Sequence, residues 1–436
     1  MSNIDYSDPN NTPPIGQAVP LGLQHVLAMF ASNVTPSIIV AGAAGLAFGG
    51  AEQIYLIQMA MLFAGIATLF QTIGIGPIGA RLPIMQGTSF AFVGVLAGVA
   101  ATQGLSVALT ACIIAGLIHF SLGSVIQKLR FMFPPLVTGL VILAIGLYLI
   151  PVAIKYAAGG AADFQMAADS FGSLLHWTVA LTVVVVSLAC KFMTKGLISN
   201  AAILIGLIAG YIVAVFSGMV SFGGVENAKW FQLTAVMPYG FEFSLGAVIV
   251  VTLVSLVSAI ETIGDTSATT KAGSERDATD AEISGATYAD GLGTAVAGVF
   301  GGLPNTSFSQ NVGIVGMTGI MSRHVVTIAG IIMIICGLIP KIGAVISSMP
   351  LPVLGGGVIV MFGMVAAAGM NMLSTVSMNR RNMIIISVSL AVGLGLNLVP
   401  SAVQHLPGIW KTLATSAVAP TALLAVIKNL VLPEDD

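Results

Sequence analysis

The sequence predicts an all-α polytopic membrane protein. Three observations carry that prediction: the composition, a series of apolar segments of membrane length, and two short polar interruptions half a chain apart. Of the 436 residues, 56% are hydrophobic and 7% charged, and mean hydropathy is +1.01. A soluble domain carries about 25% charged residues, so this chain lacks the charge to coat a water-facing surface. Its apolar stretches of about 20 residues read instead as membrane-spanning helices. A net charge of −2 without any basic cluster offers no footprint for nucleic acid. Cys112, Cys190 and Cys336 sit inside apolar runs without metal-ligand or redox spacing, and read as small buried residues. Residues 1–15 are polar and lack a signal peptide's basic region and cleavage site, so the first apolar helix is expected to be retained.

Cutting the apolar runs at Pro, Gly and charges gives fourteen segments: 20–46, 52–75, 84–101, 105–125, 133–154, 173–193, 197–220, 242–265, 281–301, 307–321, 324–346, 350–371, 382–400 and 407–431. With this even count and a cytoplasmic amino terminus, eleven Lys and Arg fall in cytoplasmic loops. Four (Lys155, Lys229, Lys341 and Lys411) fall outside, which is the bias of the positive-inside rule. Both termini are then cytoplasmic, in a cell (inner) membrane, and residues 266–282 form a cytoplasmic loop between segments eight and nine.

The third and tenth segments are short and rich in Gly, Ser and Thr. One contains Gln86, Gly87, Thr88, Ser89 and Phe90; the other contains Thr306, Ser307, Phe308, Ser309 and Gln310. Thr-Ser-Phe recurs at an offset of 218 residues, and Pro135, Gly139, Val141, Ile142 and Gly146 match Pro352, Gly356, Val358, Ile359 and Gly363 at 217. Two matches at nearly one offset point to a duplication. Seven segments per half is odd, so the halves insert with opposite orientation, as in many secondary transporters, where paired interrupted segments mark the site. Each is expected to be a short extended piece followed by a half-helix. The two helix amino termini would face each other at the midplane and offer N–H groups to a polar ligand.

Acids inside the membrane point to the same place. Glu261, Asp265 and Asp290 each cost about 2.5–3.5 kcal/mol if ionised and facing lipid, so they must face the interior, be partnered or carry a proton. Glu261 and Asp265, at i and i+4, share one helix face and are candidate proton carriers; the competing reading is a structural hydrogen-bond hub. For Asp290, function and the capping of a broken helix are both open. Gln310 opens the second half-helix with an amide that suits the edge of a planar heterocycle. Asn311 beside it is placed to cap or brace, and Phe90 to stack on a flat ligand, although a lone Phe is more often core. Ser89, Thr88 and Gln86 line the same entry. His25 is a mid-membrane histidine for which a proton relay and a satisfied structural role are equally open. No P-loop, HExxH, GxSxG or cysteine–histidine metal pattern is present, which argues against ATP-driven transport and enzyme chemistry.

From Gln310 to Gly319 the sequence reads Gln-Asn-Val-Gly-Ile-Val-Gly-Met-Thr-Gly. It resembles the signature of the nucleobase–ascorbate transporter family: Gln, Glu or Pro, then Asn-x-Gly, four residues, Thr, and Arg, Lys or Gly. Glu261 to Asp265, Gln24 with His25, and Gln86 to Phe90 resemble the family too, in order along nearly the whole chain. The resemblance implies fourteen segments in two inverted sevens. Residues 20–125 and 242–346 would form a core domain, and 126–241 and 347–436 a gate domain that also makes a homodimer. It implies that Glu261 and Gln310 hydrogen-bond a nucleobase, that Phe90 and the backbone around Ser89 and Ser309 complete the pocket, and that Asp265, Asp290, His25 and Asn311 support proton coupling or site geometry. Gln at 310 goes with the xanthine and uric acid branch, and Glu there with uracil. Ser89 stands where members vary with preference, leaving xanthine against uric acid open. The expected activity is proton symport of a purine nucleobase in a lipid membrane, without cofactor or metal; the residues leave sodium coupling open. The alternatives are another nucleobase at the same site, or a channel or anion exchanger on the same fold.

Overall fold

The computed structural model describes residues 7–160, 163, 164 and 166–433. Residues 1–6 of the polar amino terminus, residues 434–436 of the last unit, and the side chain of Arg130 lie outside this description. Helices of ten or more residues run through the chain as α1 (Ile15–Ala43), α2 (Ala51–Ile73), α3 (Val93–Gln103), α4 (Leu105–Leu122), α5 (Pro135–Ala157), α6 (Leu174–Met193) and α7 (Ala202–Phe216). The second half continues with α8 (Leu245–Ser274), α9 (Asp280–Val299), α10 (Ser309–Thr318), α11 (Arg323–Gly337), α12 (Leu351–Leu373), α13 (Arg380–Leu398) and α14 (Val418–Val431). The strands among the described residues are β1 (Gln86–Thr88) and β2 (Asn305–Ser307).

Eight of these helices are long and apolar enough to cross a membrane, or nine if α11 is joined to Pro340–Ser347 across a 79° bend. The segments that fall short do so for identifiable reasons. At about 1.5 Å per residue, the 11 residues of α3 and the 10 of α10 reach about half of a 30 Å hydrocarbon core. Helix α9 has the length but carries Asp280, Glu282 and Asp290.

Two expectations are corrected. Residues 266–282 are not a loop: α8 continues to Ser274, and Glu275 ends it with φ +52°. The charges there stop the hydropathy but not the helix; Thr266, Thr269 and Thr270 return their hydroxyls to carbonyls one turn back, so none of these hydroxyls is stranded along it. Segment 407–431 is likewise not one helix. It breaks between Gly408–Thr415 and α14 at Ala417, whose φ is +57°.

Helix α5 packs along α12, α6 and α7 pack on each other and on α12, and α13 and α14 lie together against α5. In the other group α4 packs along α8 and α9, α2 along α11 and α9, and α1 along α11. Small residues set how closely these helices approach. A methyl group added at Gly146 would come within 2.4 Å of the Ala366 backbone, and one at Gly369 within 2.3 Å of Leu143. Helices α5 and α12 therefore meet backbone to backbone. Gly146→Ala is expected to cost about 1–3 kcal/mol through overpacking, read as a fall in thermal midpoint of the purified protein. Gly363→Ala on α12, where the methyl meets nothing within 4 Å, should leave the midpoint unchanged or slightly raised.

Candidate functional site

The site is built where the two extended pieces cross. β1 and β2 pair antiparallel, with Gln86 opposite Ser307, Gly87 opposite Thr306, and Thr88 opposite Asn305. Two further bonds lengthen the ladder: Ser89 N–H donates to the Pro304 carbonyl and Phe308 N–H to that of Met85, both at 2.9 Å. Glycine is required at 87, because a Cβ there would meet Phe308, Met29 and Asn33 at 2.5–2.8 Å. Each strand then turns into a half-helix, and the two starts differ. A 3₁₀ turn, Phe90–Phe92, leads into α3, and Ser89 caps it by accepting from the Ala91 N–H at 3.3 Å. Helix α10 begins at Ser309 with no side-chain cap, so its first N–H groups remain available.

A cavity of about 580 Å³ lies at the start of α10, within the range of small-molecule sites. One wall carries Thr88, Phe90, Ala91, Glu261, Gly264, Asp265, Ala268, Thr306 to Gln310, Val312 and Gly313. The opposite wall is formed by Thr138, Ile142 and Ile145 of α5 and by Met364, Val365, Ala368, Asn371, Met372 and Thr375 on and just beyond α12. It extends to Thr138 and Thr375, near the first turn of α5 and the last of α12, and so opens toward that end of the bundle.

The three acids have distinct surroundings. Asp290 is fully buried and off the cavity; it accepts from Gln86 Nε2 at 2.5 Å, from Gln71 Nε2 at 3.1 Å, and from the Thr262 hydroxyl. This ties α2, β1, α8 and α9 together. Asp265 accepts from Ser307 at 2.6 Å and from Ser309 at 2.7 Å, binding α8 to the start of α10. Glu261 lines the cavity beside these acids and has no hydrogen-bond donor among the described residues. Hydrogen bonds to a buried charged group stabilise by about 1.5–3 kcal/mol, so Asp290 and Asp265 are held by the protein while Glu261 receives no such support.

Of the residues singled out from the sequence, Glu261, Asp265, Phe90, Ser309 and Gln310 are brought together on the cavity wall. Ser89 is buried and occupied as a cap. His25 and Asn311 form a pair behind the wall: Asn311 Nδ2 lies 3.0 Å from His25 Nδ1 and donates to the His25 carbonyl at 3.0 Å. The sequence reading missed Thr262, Ser258 (which donates to the Thr306 hydroxyl at 3.1 Å) and Thr306. Their signal was the polar stripe Ser255, Ser258, Thr262, Thr266 and Thr269 along one side of α8. It also missed Thr138 and Asn371, isolated polar residues in apolar helices, and Thr375, in the polar stretch just beyond α12, with no pattern to mark them as cavity residues.

A carboxylate, an amide and a phenyl ring thus line a cavity around an uncapped helix start, and the Gln310–Gly319 signature begins on that wall with Gln310, Val312 and Gly313. The chain belongs to the nucleobase–ascorbate transporter family of permeases. The model of this permease family matches residues 16–402. Similar proteins include the uric acid permease PucK of Bacillus subtilis, 38% identical over 412 residues covering 94% of each chain. The xanthine permease of the same organism is 35% identical over 421 residues, covering 95% of this chain and 94% of the other. The xanthine permease XanQ of Escherichia coli K12 is 32% identical, covering 99% and 96%. In fold the chain resembles the transmembrane domain of a cyanobacterial bicarbonate transporter, BicA, with TM-score 0.63 at 15% identity, covering 96% of this chain and 98% of that one. It is a multi-pass membrane permease and not an enzyme.

The Asp290 hub gives a stability test. Thr262→Val removes a donor from a buried carboxylate and is expected to cost about 1–3 kcal/mol. Thr266→Val removes only a bond back to its own helix and should cost less than about 1 kcal/mol. Thermal unfolding of the two variants in the same detergent compares them.

Proposed function

We propose that this permease imports a purine nucleobase, xanthine or uric acid, together with a proton. The observation that carries the reading is the uncommitted carboxylate of Glu261 beside the Gln310 amide in a cavity walled by Phe90. A xanthine or urate edge alternates N–H and C=O groups. A carboxylate accepts from the former, and an amide accepts from the former through its oxygen and donates to the latter through its NH2. The ring face suits Phe90, and the N–H groups at the start of α10 suit an exocyclic oxygen. The relatives named as xanthine and uric acid permeases support the class of base. Lys, Arg and His are absent from the described cavity wall, which disfavours an anion exchanger despite the shared fold.

Coupling follows from the same carboxyl group. Ionised, Glu261 only accepts; protonated, it also donates. Base and proton are therefore linked through one side chain, and Asp265, Asp290, His25 and Asn311 hold its surroundings in place. An inward-moving charge gains about 2.3 kcal/mol per 100 mV, enough to concentrate a scarce base. We extend the reading to fourteen segments in two inverted sevens, with a core of 20–125 and 242–346 and a gate of 126–241 and 347–436. Its support is that fourteen helices among the described residues reach ten residues, and that β1 with α3 and β2 with α10 are related by the 218-residue repeat. Both termini would face the cytoplasm of an inner membrane. Helices α6 and α13, each only 22% buried over their apolar windows, offer the gate a face for lipid or for a second copy.

The test is uptake of labelled xanthine and urate into proteoliposomes under an imposed pH gradient. Wild type should accumulate one or both bases. Glu261→Gln should lose the gradient dependence and bind at least tenfold more weakly, in line with about 1.5–3 kcal/mol for a charged hydrogen bond. Uptake of uracil alone would overturn the purine assignment, and accumulation that follows sodium rather than pH would overturn the proton.

A further inference from the structure

Away from the open end of the cavity, the α5–α12 pair closes directly onto the opposite wall, and the contacts there form a seam. Phe362 of α12 meets Phe90 edge to face, with ring centroids 5.3 Å apart. Met361 beside it accepts a hydrogen bond from Ser32 of α1, with the oxygen 3.1 Å from the sulfur. Farther along, Tyr148 of α5 lies on Gly94 of α3: a methyl group at Gly94 would come within 2.0 Å of the Tyr148 hydroxyl and 2.5 Å of its ring. Gly94 is four residues past Phe90, so both sit on the same side of the half-helix start. Phe362 and Tyr148 therefore clasp two successive turns of the element that carries a cavity-lining ring. Tyr148 is 8% exposed, and its buried hydroxyl finds no acceptor for its proton; the Gly94 backbone N–H lies against its oxygen. A buried unsatisfied hydroxyl opposes the packing that buries it, whereas water entering an opened seam would satisfy it.

We propose that Tyr148 is a positioning residue for transport. Its ring, seated on Gly94, fixes the Phe90 half-helix against the α5–α12 wall, and its hydroxyl proton, left without an acceptor, keeps that seam from closing too tightly to reopen. The role deepens the transport reading and rests on it for its kinetic part. The two groups of helices pack across this seam at the edge of the cavity. A permease that releases its ligand on both sides must break the seam once per cycle, so the balance at Tyr148 bears on turnover rather than on base recognition.

Two measurements test this. The first does not depend on the substrate. Ser32→Cys, introduced after the three native cysteines are replaced by alanine, puts a thiol in the closed seam, where Ser32 is 1% exposed. Its labelling by a maleimide in detergent reports seam opening. Tyr148→Phe should slow labelling by about fivefold or more, because the closed seam loses its unsatisfied group. Gly94→Ala should speed labelling by wedging the seam, and combining it with Tyr148→Ala should bring the rate back toward that of Tyr148→Ala alone. The second measurement is uptake: Tyr148→Phe should lower the maximal rate severalfold with KM changed less than twofold. Unchanged labelling in both Tyr148→Phe and Gly94→Ala would overturn the proposal, as would a Tyr148→Phe effect confined to KM. If labelling shifts as expected in a protein that takes up no purine base, the seam stands and the substrate assignment falls.

Discussion

The structure depends on how the backbone is satisfied where helix gives way to extended chain inside the membrane. Non-helical segments at that depth survive only if their N–H and C=O groups are paired within the protein. Here residues 85–89 and 304–308 pair with each other, so each interruption is the other's partner and neither can form alone. Much of the local sequence follows from that pairing. Gly87 lets the strands approach over Met29 and Asn33. Asn33 accepts from the Thr88 N–H at 2.8 Å, and Thr68 both accepts from the Gln86 N–H at 2.9 Å and donates to the Gln86 carbonyl at 3.5 Å. Segments half a chain apart are joined at the level where the acids lie.

Once the ladder is fixed, the acids divide their work by what surrounds them. Asp290 is saturated by donors from three elements, and Asp265 by two hydroxyls at the start of α10. Both acids anchor the ladder to α8 and α9. Glu261, one turn before Asp265, receives no such donors and faces the open volume. The same asymmetry separates the two half-helices: Ser89 closes the first, while α10 starts uncapped. Pseudo-symmetric halves thus yield a one-sided site, because side chains at related positions were given different hydrogen-bonding duties.

The sequence made the extended pieces, the half-helices and the buried acids legible, because each breaks a rule that lipid imposes; it did not show that the two pieces pair. Polar runs in short apolar segments and carboxylates at mid-span are costly, and cost makes them visible. What stayed hidden carries no such cost. Helix α8 outran its apolar stretch because a loss of hydropathy is not a helix stop: neither Gly nor Pro interrupts the run from Asp265 to Ala272, and its threonines bond back onto their own helix. Ser89 looked like a lining residue because its cap appears only when the 3₁₀ turn exists. Thr138 and Asn371 are single polar residues near helix ends, and Thr375 lies in the polar stretch just beyond one, where water is within reach and nothing in the sequence sets them apart.

The two groups of helices are held together by different means, and that difference locates the weak surface between them. Within one group, glycines bring α5 and α12 into backbone contact, a close-packed joint that tolerates little sliding. Within the other, buried hydrogen bonds among Gln71, Gln86, Thr262 and Asp290 lock the elements; stretching such a network would strand polar atoms in a dry interior. Between the groups the contacts around the cavity are mainly aromatic and thioether surfaces, with one hydroxyl–sulfur bond and one tyrosine whose hydroxyl proton finds no acceptor. Dispersion contacts of this kind can be exchanged for others at small cost, whereas neither internal joint can. Of the three kinds of joint, the surface between the groups is therefore the one whose contacts are most easily exchanged, and the cavity lies in that same surface.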